Sequence, residues 1–145
     1  MKIDPQEISI QPQDGEDWDF EAVWRGQRVG YAWCRLQDEN LLIDDIKVED
    51  DHRVPWSIMN AFLISLGILS RKRSFRKMGV GNRLLDQVIA KAKNNAVQNI
   101  WGSVTQDDID RVPYLLAWYQ RRGFYVTEPD DNYIKTAVKK IVMKL

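Results

Sequence analysis

One cysteine and one histidine are all that the 145 residues contain of either. Cys34 has no second thiol to bridge to, so a disulfide framework is excluded and a reducing, cytoplasmic setting is expected. His52 stands without other ligand residues at metal-binding spacing, and no metal is expected. Net charge is missing as well, since 21 basic residues balance 21 acidic ones. That balance excludes a globally basic nucleic-acid binder. The start, MKIDPQEISI, lacks the apolar run of a signal peptide. No stretch reaches the roughly 18 apolar residues of a membrane-spanning helix. Repeats and low-complexity linkers are absent, and the length suits a single domain over residues 1–145.

Two nucleotide-binding signatures are also lacking: no Gly-Lys-Ser/Thr completes a Walker loop, and the Rossmann glycine spacing does not occur. What is present is RKMGVGNRLLDQVIAKAK, residues 76–93, with Gly79 and Gly81 where a helix begins. Glycine costs about 1 kcal/mol in a helix relative to alanine, so bare backbone there calls for a reason. The first amides of a helix lack intrahelical partners and carry partial positive charge. Glycines at that point let a phosphate approach without a Cβ in the way. Arg76 and Lys77 add charge beside them. The alternative is a tight turn whose glycines serve backbone geometry alone.

Around this segment the pattern alternates between strand and helix periods. WDFEAVWRGQRVGYAWCRL reads as two strands around Arg25-Gly26. NLLIDDIKVED is a third, with Leu42, Ile46 and Val48 on one face and Asp44 interrupting them. Residues 54–69, VPWSIMNAFLISLGIL, form an uncharged buried or interfacial helix, followed by five basic residues within the eight of SRKRSFRK. Leu84, Leu85, Val88, Ile89 and Ala92 mark one helical face. NIWGSVT is a strand, and QDDIDR opens a helix that continues through VPYLLAWYQRR to a Gly123 cap. FYVTE and YIKTAVKKIVMKL are the last strands. Strand-helix-strand units after a meander predict an α/β fold with a mixed sheet covered by helices.

Four pieces, in order, carry a family resemblance. RKMGVG fits the Arg/Gln-x-x-Gly-x-Gly/Ala signature of the GNAT acetyltransferase superfamily. The helix and strand after it follow the same order, and WYQRRGFYV resembles the superfamily's aromatic-Tyr-x-x-x-Gly-Phe element. LLIDDIKV resembles the strand ahead of the phosphate loop. The resemblance spans residues 18–128 with one interruption.

It implies a central mixed sheet of about six or seven strands flanked by helices. Acetyl-CoA is then the co-substrate, lying between splayed strands at residues 41–48 and 99–104. Its pyrophosphate would rest on the amides of Lys77, Gly79, Val80, Gly81 and Asn82, with Arg76 beside them. Backbone N–H groups near Ile46 and Val48 would hold the pantetheine arm and polarise the acetyl carbonyl. Tyr119 matches the tyrosine that protonates the departing thiolate. The implied activity is N-acetyl transfer by direct attack of an amine, borne by a small molecule or a protein. Asp44, on the face of Ile46 and Val48, is the candidate base through a water relay, and Asp45 is the second choice. An exposed final strand offers a way to homodimerise. Two other readings stand beside this one. One is a CoA-binding sensor or interaction domain of the same fold, without chemistry. The other is a peripheral membrane or partner-binding module through helix 54–69 and its basic flank.

The chain departs from the superfamily pattern in two places. Val48 and Arg76 lie 28 positions apart, an insertion spanning about residues 50–75 that carries the apolar helix. The N-terminal helical pair has no room before Trp18. The inserted helix is read as covering the sheet face so exposed, with Trp56, Met59 and Phe62 lining the acceptor pocket or filling the core. Val112 also stands seven positions before Tyr119, where an asparagine is frequent in the family. Asp107 or Asp108 is expected to cap the adjoining helix.

Overall fold

The computed structural model describes residues 3–15, 17–49, 52–53, 72–73, 78–130 and 136–145. Strand pairing begins earlier than the sequence reading placed it. Ile8–Pro12 forms β1, antiparallel to β2 (Phe20–Trp24), with Ile8 opposite Trp24. Arg25 and Gly26 both take positive φ, 50° and 76°, as a mirror-image two-residue turn requires, and β3 (Gln27–Gln37) returns along β2. After a short turn at Asp38, β4 covers Asn40–Val48. Two short strands, β5 (His52–Arg53) and β6 (Lys72–Arg73), pair antiparallel and bracket the inserted segment. The expected helix at 54–69 lies outside the described residues.

Helix α1 spans Val80–Asn94, and β7 (Asn99–Thr105) follows it. Two short helices come next, α2 (Gln106–Arg111) and α3 (Leu115–Arg121), then β8 (Tyr125–Thr127) and β9 (Ala137–Lys144). The seven-stranded sheet runs β1-β2-β3-β4-β7-β9-β8, and its β4–β7 pair is parallel, so the sheet is mixed.

Two sequence expectations change here. The helix predicted to run from Gln106 to Arg122 breaks into α2 and α3. Pro113 has no N–H to donate, and Val112 before it sits at φ −132°, ψ 82°, outside the helical region. The final strand is not an edge either: β9 inserts between β7 and β8, antiparallel to both.

The chain divides into two compact units, residues 1–32 with 46–87, and residues 33–45 with 88–145. In the first, Ile8, Phe20, Ala22, Trp24, Val29 and Tyr31 are buried together with Val80, Leu84 and Leu85 of α1. In the second, the buried set includes Leu41, Leu42, Ile43, Val88, Ile100, Val104, Tyr119, Phe124 and Ile141.

Gly30 shows how closely β3, β4 and α1 approach within the first unit. A Cβ there would stand 2.9 Å from the Lys47 carbonyl oxygen and 3.4 Å from side-chain carbons of Val80 and Leu84. Backbone cannot yield as a flexible side chain can. Gly30→Ala is therefore expected to lower stability by about 1–3 kcal/mol, read as a lower urea midpoint at unchanged slope.

Candidate active site

Within the first unit, α1 begins at a left-handed glycine. Gly79 has φ 75°, and its carbonyl accepts the first intrahelical bond, from Arg83 N at 3.0 Å. Gly79 is thus the residue on which the helix starts, and its glycine character is required by φ. Among the described residues, a Cβ built there would meet no atom within 4 Å. The amides of Val80, Gly81 and Asn82 head the helix, where no intrahelical carbonyl can reach them. Arg83 Nη1 also donates to Pro5 O at 3.3 Å, tying the 3-10 turn Pro5–Glu7 to the first turn of α1. Ile46 and Val48, at the end of β4, are half-buried. Glu49 N donates to Val29 O at 2.8 Å and keeps the chain extended beyond them. Arg76 and Lys77, like Trp56, Met59 and Phe62, lie outside the described residues.

In the second unit the parallel ladder pairs Asn40–Ile43 with Asn99–Gly102, whereas β4 runs on to Val48 and β7 to Thr105. Burial changes at the same point. Leu41, Leu42 and Ile43 are all buried, as a strand covered on both faces must be, while Asp44 is exposed and Asp45 half-buried. Gly102 closes the ladder tightly, since a Cβ on it would sit 3.3 Å from the Ile43 carbonyl oxygen.

The two aspartates face different surroundings. Arg35 donates from Nε and Nη2 to both Asp44 oxygens, at 2.7 and 2.8 Å. A bidentate guanidinium takes one lone pair on each oxygen and fixes the orientation of that carboxylate. Asp45 shares the parity of Leu41 and Ile43, and its charge acts on Tyr119. A strict even-odd reading ranked Asp44 first because it considered β4 alone. Arg35, on the neighbouring strand, is a partner that such a reading does not see.

Tyr119 is the buried residue of α3. Its ring packs edge-on against Trp118, with centroids 4.8 Å apart, and against Phe124, 5.3 Å away. The helix end fixes it further. Gly123, at φ 99°, donates to Gln120 O at 3.0 Å, and Phe124 N donates to Tyr119 O at 3.1 Å. Those two bonds make a Schellman closure, as the Gly123 cap expected from the sequence requires.

Burial pushes the Tyr119 phenol well above the ordinary tyrosine value, and the charges of Asp45, Cys34 and Asp108 add to the shift. The folded chain thus holds this proton more tightly than the unfolded one does. The resulting stability is complete below the ordinary value near 10 and is lost as pH rises above it, by up to about 1.4 kcal/mol per pH unit. Denaturant melts above pH 10 should show this fall, and Tyr119→Phe should flatten it.

Asp108 itself belongs to a capping box rather than capping alone. Thr105 is the N-cap of α2: its Oγ1 accepts from Asp108 N at 3.2 Å, and its own N donates to Asp108 Oδ2 at 2.9 Å. The Thr-x-x-Asp spacing carried that signal in the sequence. Cys34 is buried on β3. Among the described residues, no group of three or more His, Cys, Asp or Glu side chains could hold a metal ion. No helix among them is long and apolar enough to cross a membrane.

A model of the acetyltransferase (GNAT) family matches residues 4–124. Solved structures with the same fold include a GNAT-family acetyltransferase from Staphylococcus aureus, at TM-score 0.60 and 16% identity, covering 87% of this chain and 66% of that one. An N-acetyltransferase from Thermoplasma acidophilum, solved with coenzyme A, aligns at TM-score 0.59 and 11% identity over 88% of this chain and 60% of its own. A GNAT-family acetyltransferase from Elizabethkingia anophelis with acetyl-CoA bound aligns at TM-score 0.61 and 17% identity, over 96% and 99% of the two chains. This chain thus spans less than two thirds of the first two. At such identities the likeness is one of fold. No curated protein matches the sequence significantly.

Proposed function

Because this chain belongs to the GNAT acetyltransferase family, we propose that it transfers an acetyl group from acetyl-CoA to an amine by direct attack on the thioester. The observation that carries this reading is the start of α1. A left-handed glycine that no other described residue crowds, at the head of a row of helix-starting amides, suits a diphosphate. Gly79, Val80, Gly81 and Asn82 would hold the diphosphate, with Arg76 and Lys77 at its rim. Backbone N–H groups near Ile46 and Val48 would bind the pantetheine amides and hold the acetyl oxygen.

Acetyl-CoA supplies an activated acyl carbon and a thiolate leaving group. The protein's part is placement and charge stabilisation. Tyr119 keeps its proton across the neutral range, so it acts as a fixed hydrogen-bond donor toward the charge that grows on sulfur. The attacking amine must first shed a proton. Asp44, held by Arg35 on β3, and Asp45, whose charge acts on Tyr119, are the two carboxylates of β4 that could take it, directly or through a water. Asp45→Asn is expected to slow turnover by roughly 10- to 100-fold if that carboxylate is the acceptor, and Asp44→Asn if the other is, as steady-state kinetics of the two variants would show. Thiol release from acetyl-CoA across a panel of amines tests the function itself. Amine-dependent release supports it, and release that no amine accelerates overturns it.

A further inference from the structure

The helix that carries Tyr119 has no side-chain cap at its start. α3 begins after Tyr114, whose side chain makes no capping hydrogen bond to the first turn. A helix of seven residues does not hold itself in place, so its position is set by what it is joined to. The rear is closed at Gly123, and the front is reached from α2. There Thr105, the last residue of β7, and Asp108 cap each other reciprocally. Arg111 Nη2, from the last turn, donates to the second Asp108 oxygen at 3.0 Å. The Asp108 carboxylate thus accepts from both ends of the six-residue helix, at the point where the chain leaves the sheet.

From Asp108, backbone bonds run on to α3 across the break at Pro113. Asp108 O accepts from Val112 N at 3.0 Å, Val112 O from Leu115 N at 3.0 Å, and Tyr114 O from Trp118 N at 2.9 Å. α2 also packs on both β7 and α3. A displacement of α2 at its cap is therefore passed to the helix that holds Tyr119.

We propose that Asp108 is a positioning residue for the Tyr119 phenol: by clamping α2 to the end of β7 it sets where α3 holds the hydroxyl. This rests on the reading of Tyr119 as donor to the departing thiolate. Position and charge act in opposite directions here. The Asp108 carboxylate, with Asp45 on β4 and Cys34 on β3, makes the phenol hold its proton more tightly. Removal of that charge alone would leave a better acid, and turnover would hold or rise. Loss of position lowers turnover, since a displacement of roughly 1 Å costs up to about 10²-fold in rate.

Steady-state kinetics on the full chain, arranged as a double-mutant cycle with Tyr119→Phe, tests this. Asp108→Ala is expected to lower kcat about tenfold while the KM for acetyl-CoA stays within about twofold of native. Asp108→Glu, which rebuilds the reciprocal cap, should recover most of the loss. Thr105→Val opens the same cap but keeps the Asp108 charge, and it should follow Asp108→Ala; it also carries the test if Asp108→Ala does not fold. In the Tyr119→Phe background neither substitution should slow turnover further, because the hydroxyl they position is gone. Equal slowing in both backgrounds overturns the positioning role and leaves Tyr119 as donor, and so does turnover that both cap variants leave intact. Transfer that Tyr119→Phe alone does not slow removes the donor reading itself, and the positioning role with it.

Discussion

Tyr119→Phe is expected to slow acetyl transfer by roughly 10²-fold while acetyl-CoA affinity stays within about twofold of the native value. The substitution removes one oxygen and leaves the ring. Edge-on packing against Trp118 and Phe124 survives, as do the backbone bonds that close α3 at Gly123. What is lost is a donor whose proton the fold has made hard to remove. Such a donor needs no reorganisation when charge develops opposite it, which is why removing one commonly costs two to three orders of magnitude in turnover. On the proposed reading, binding rests on the diphosphate and the pantetheine arm, which the phenol does not hold. Steady-state kinetics with a titration of acetyl-CoA separates the two effects, and unchanged turnover would remove Tyr119 from the reaction.

Gly79→Val is the second large effect, and it has the opposite signature. A β-branched residue at φ 75° costs about 1–2 kcal/mol of backbone strain. Among the described residues the added Cβ meets no atom, so that strain is the expected cost to folding. The ligand loses more. The branched carbons would occupy the open space where a diphosphate oxygen must approach, and relief of the strain would turn the leading amides away. Acetyl-CoA affinity is expected to fall by at least about tenfold, with little change in turnover at saturation. Equal affinity in the variant would mean that the turn serves geometry alone.

Much of this was legible in the sequence because the signals were local. The Arg25-Gly26 turn, the helical face from Leu84 to Ala92 and the glycine after Arg122 each depend on residues a few positions apart. The fold class followed from their order, and the Gly79 turn followed from glycine's cost in a helix. What the sequence hid depended on neighbours distant along the chain. The partner of Asp44 was one such feature, since Arg35 reaches both its oxygens from another strand. The last strand read as an edge because its insertion between β7 and β8 is a matter of topology, not composition. Pro113 was readable as a helix break, but the apolar run on either side of it suggested continuity. β1 was hidden because Ile8 and Ile10 make too short an alternation to stand without its partner β2.

The central claim of the proposed reading is that amides at the head of α1 receive the diphosphate of acetyl-CoA. Isothermal titration of the folded chain with acetyl-CoA, beside S-acetylpantetheine, which lacks the diphosphate, tests it most directly. The account predicts saturable one-to-one binding of acetyl-CoA and affinity at least about a hundredfold weaker for the truncated thioester. Equal affinities, or no heat with acetyl-CoA, would contradict it.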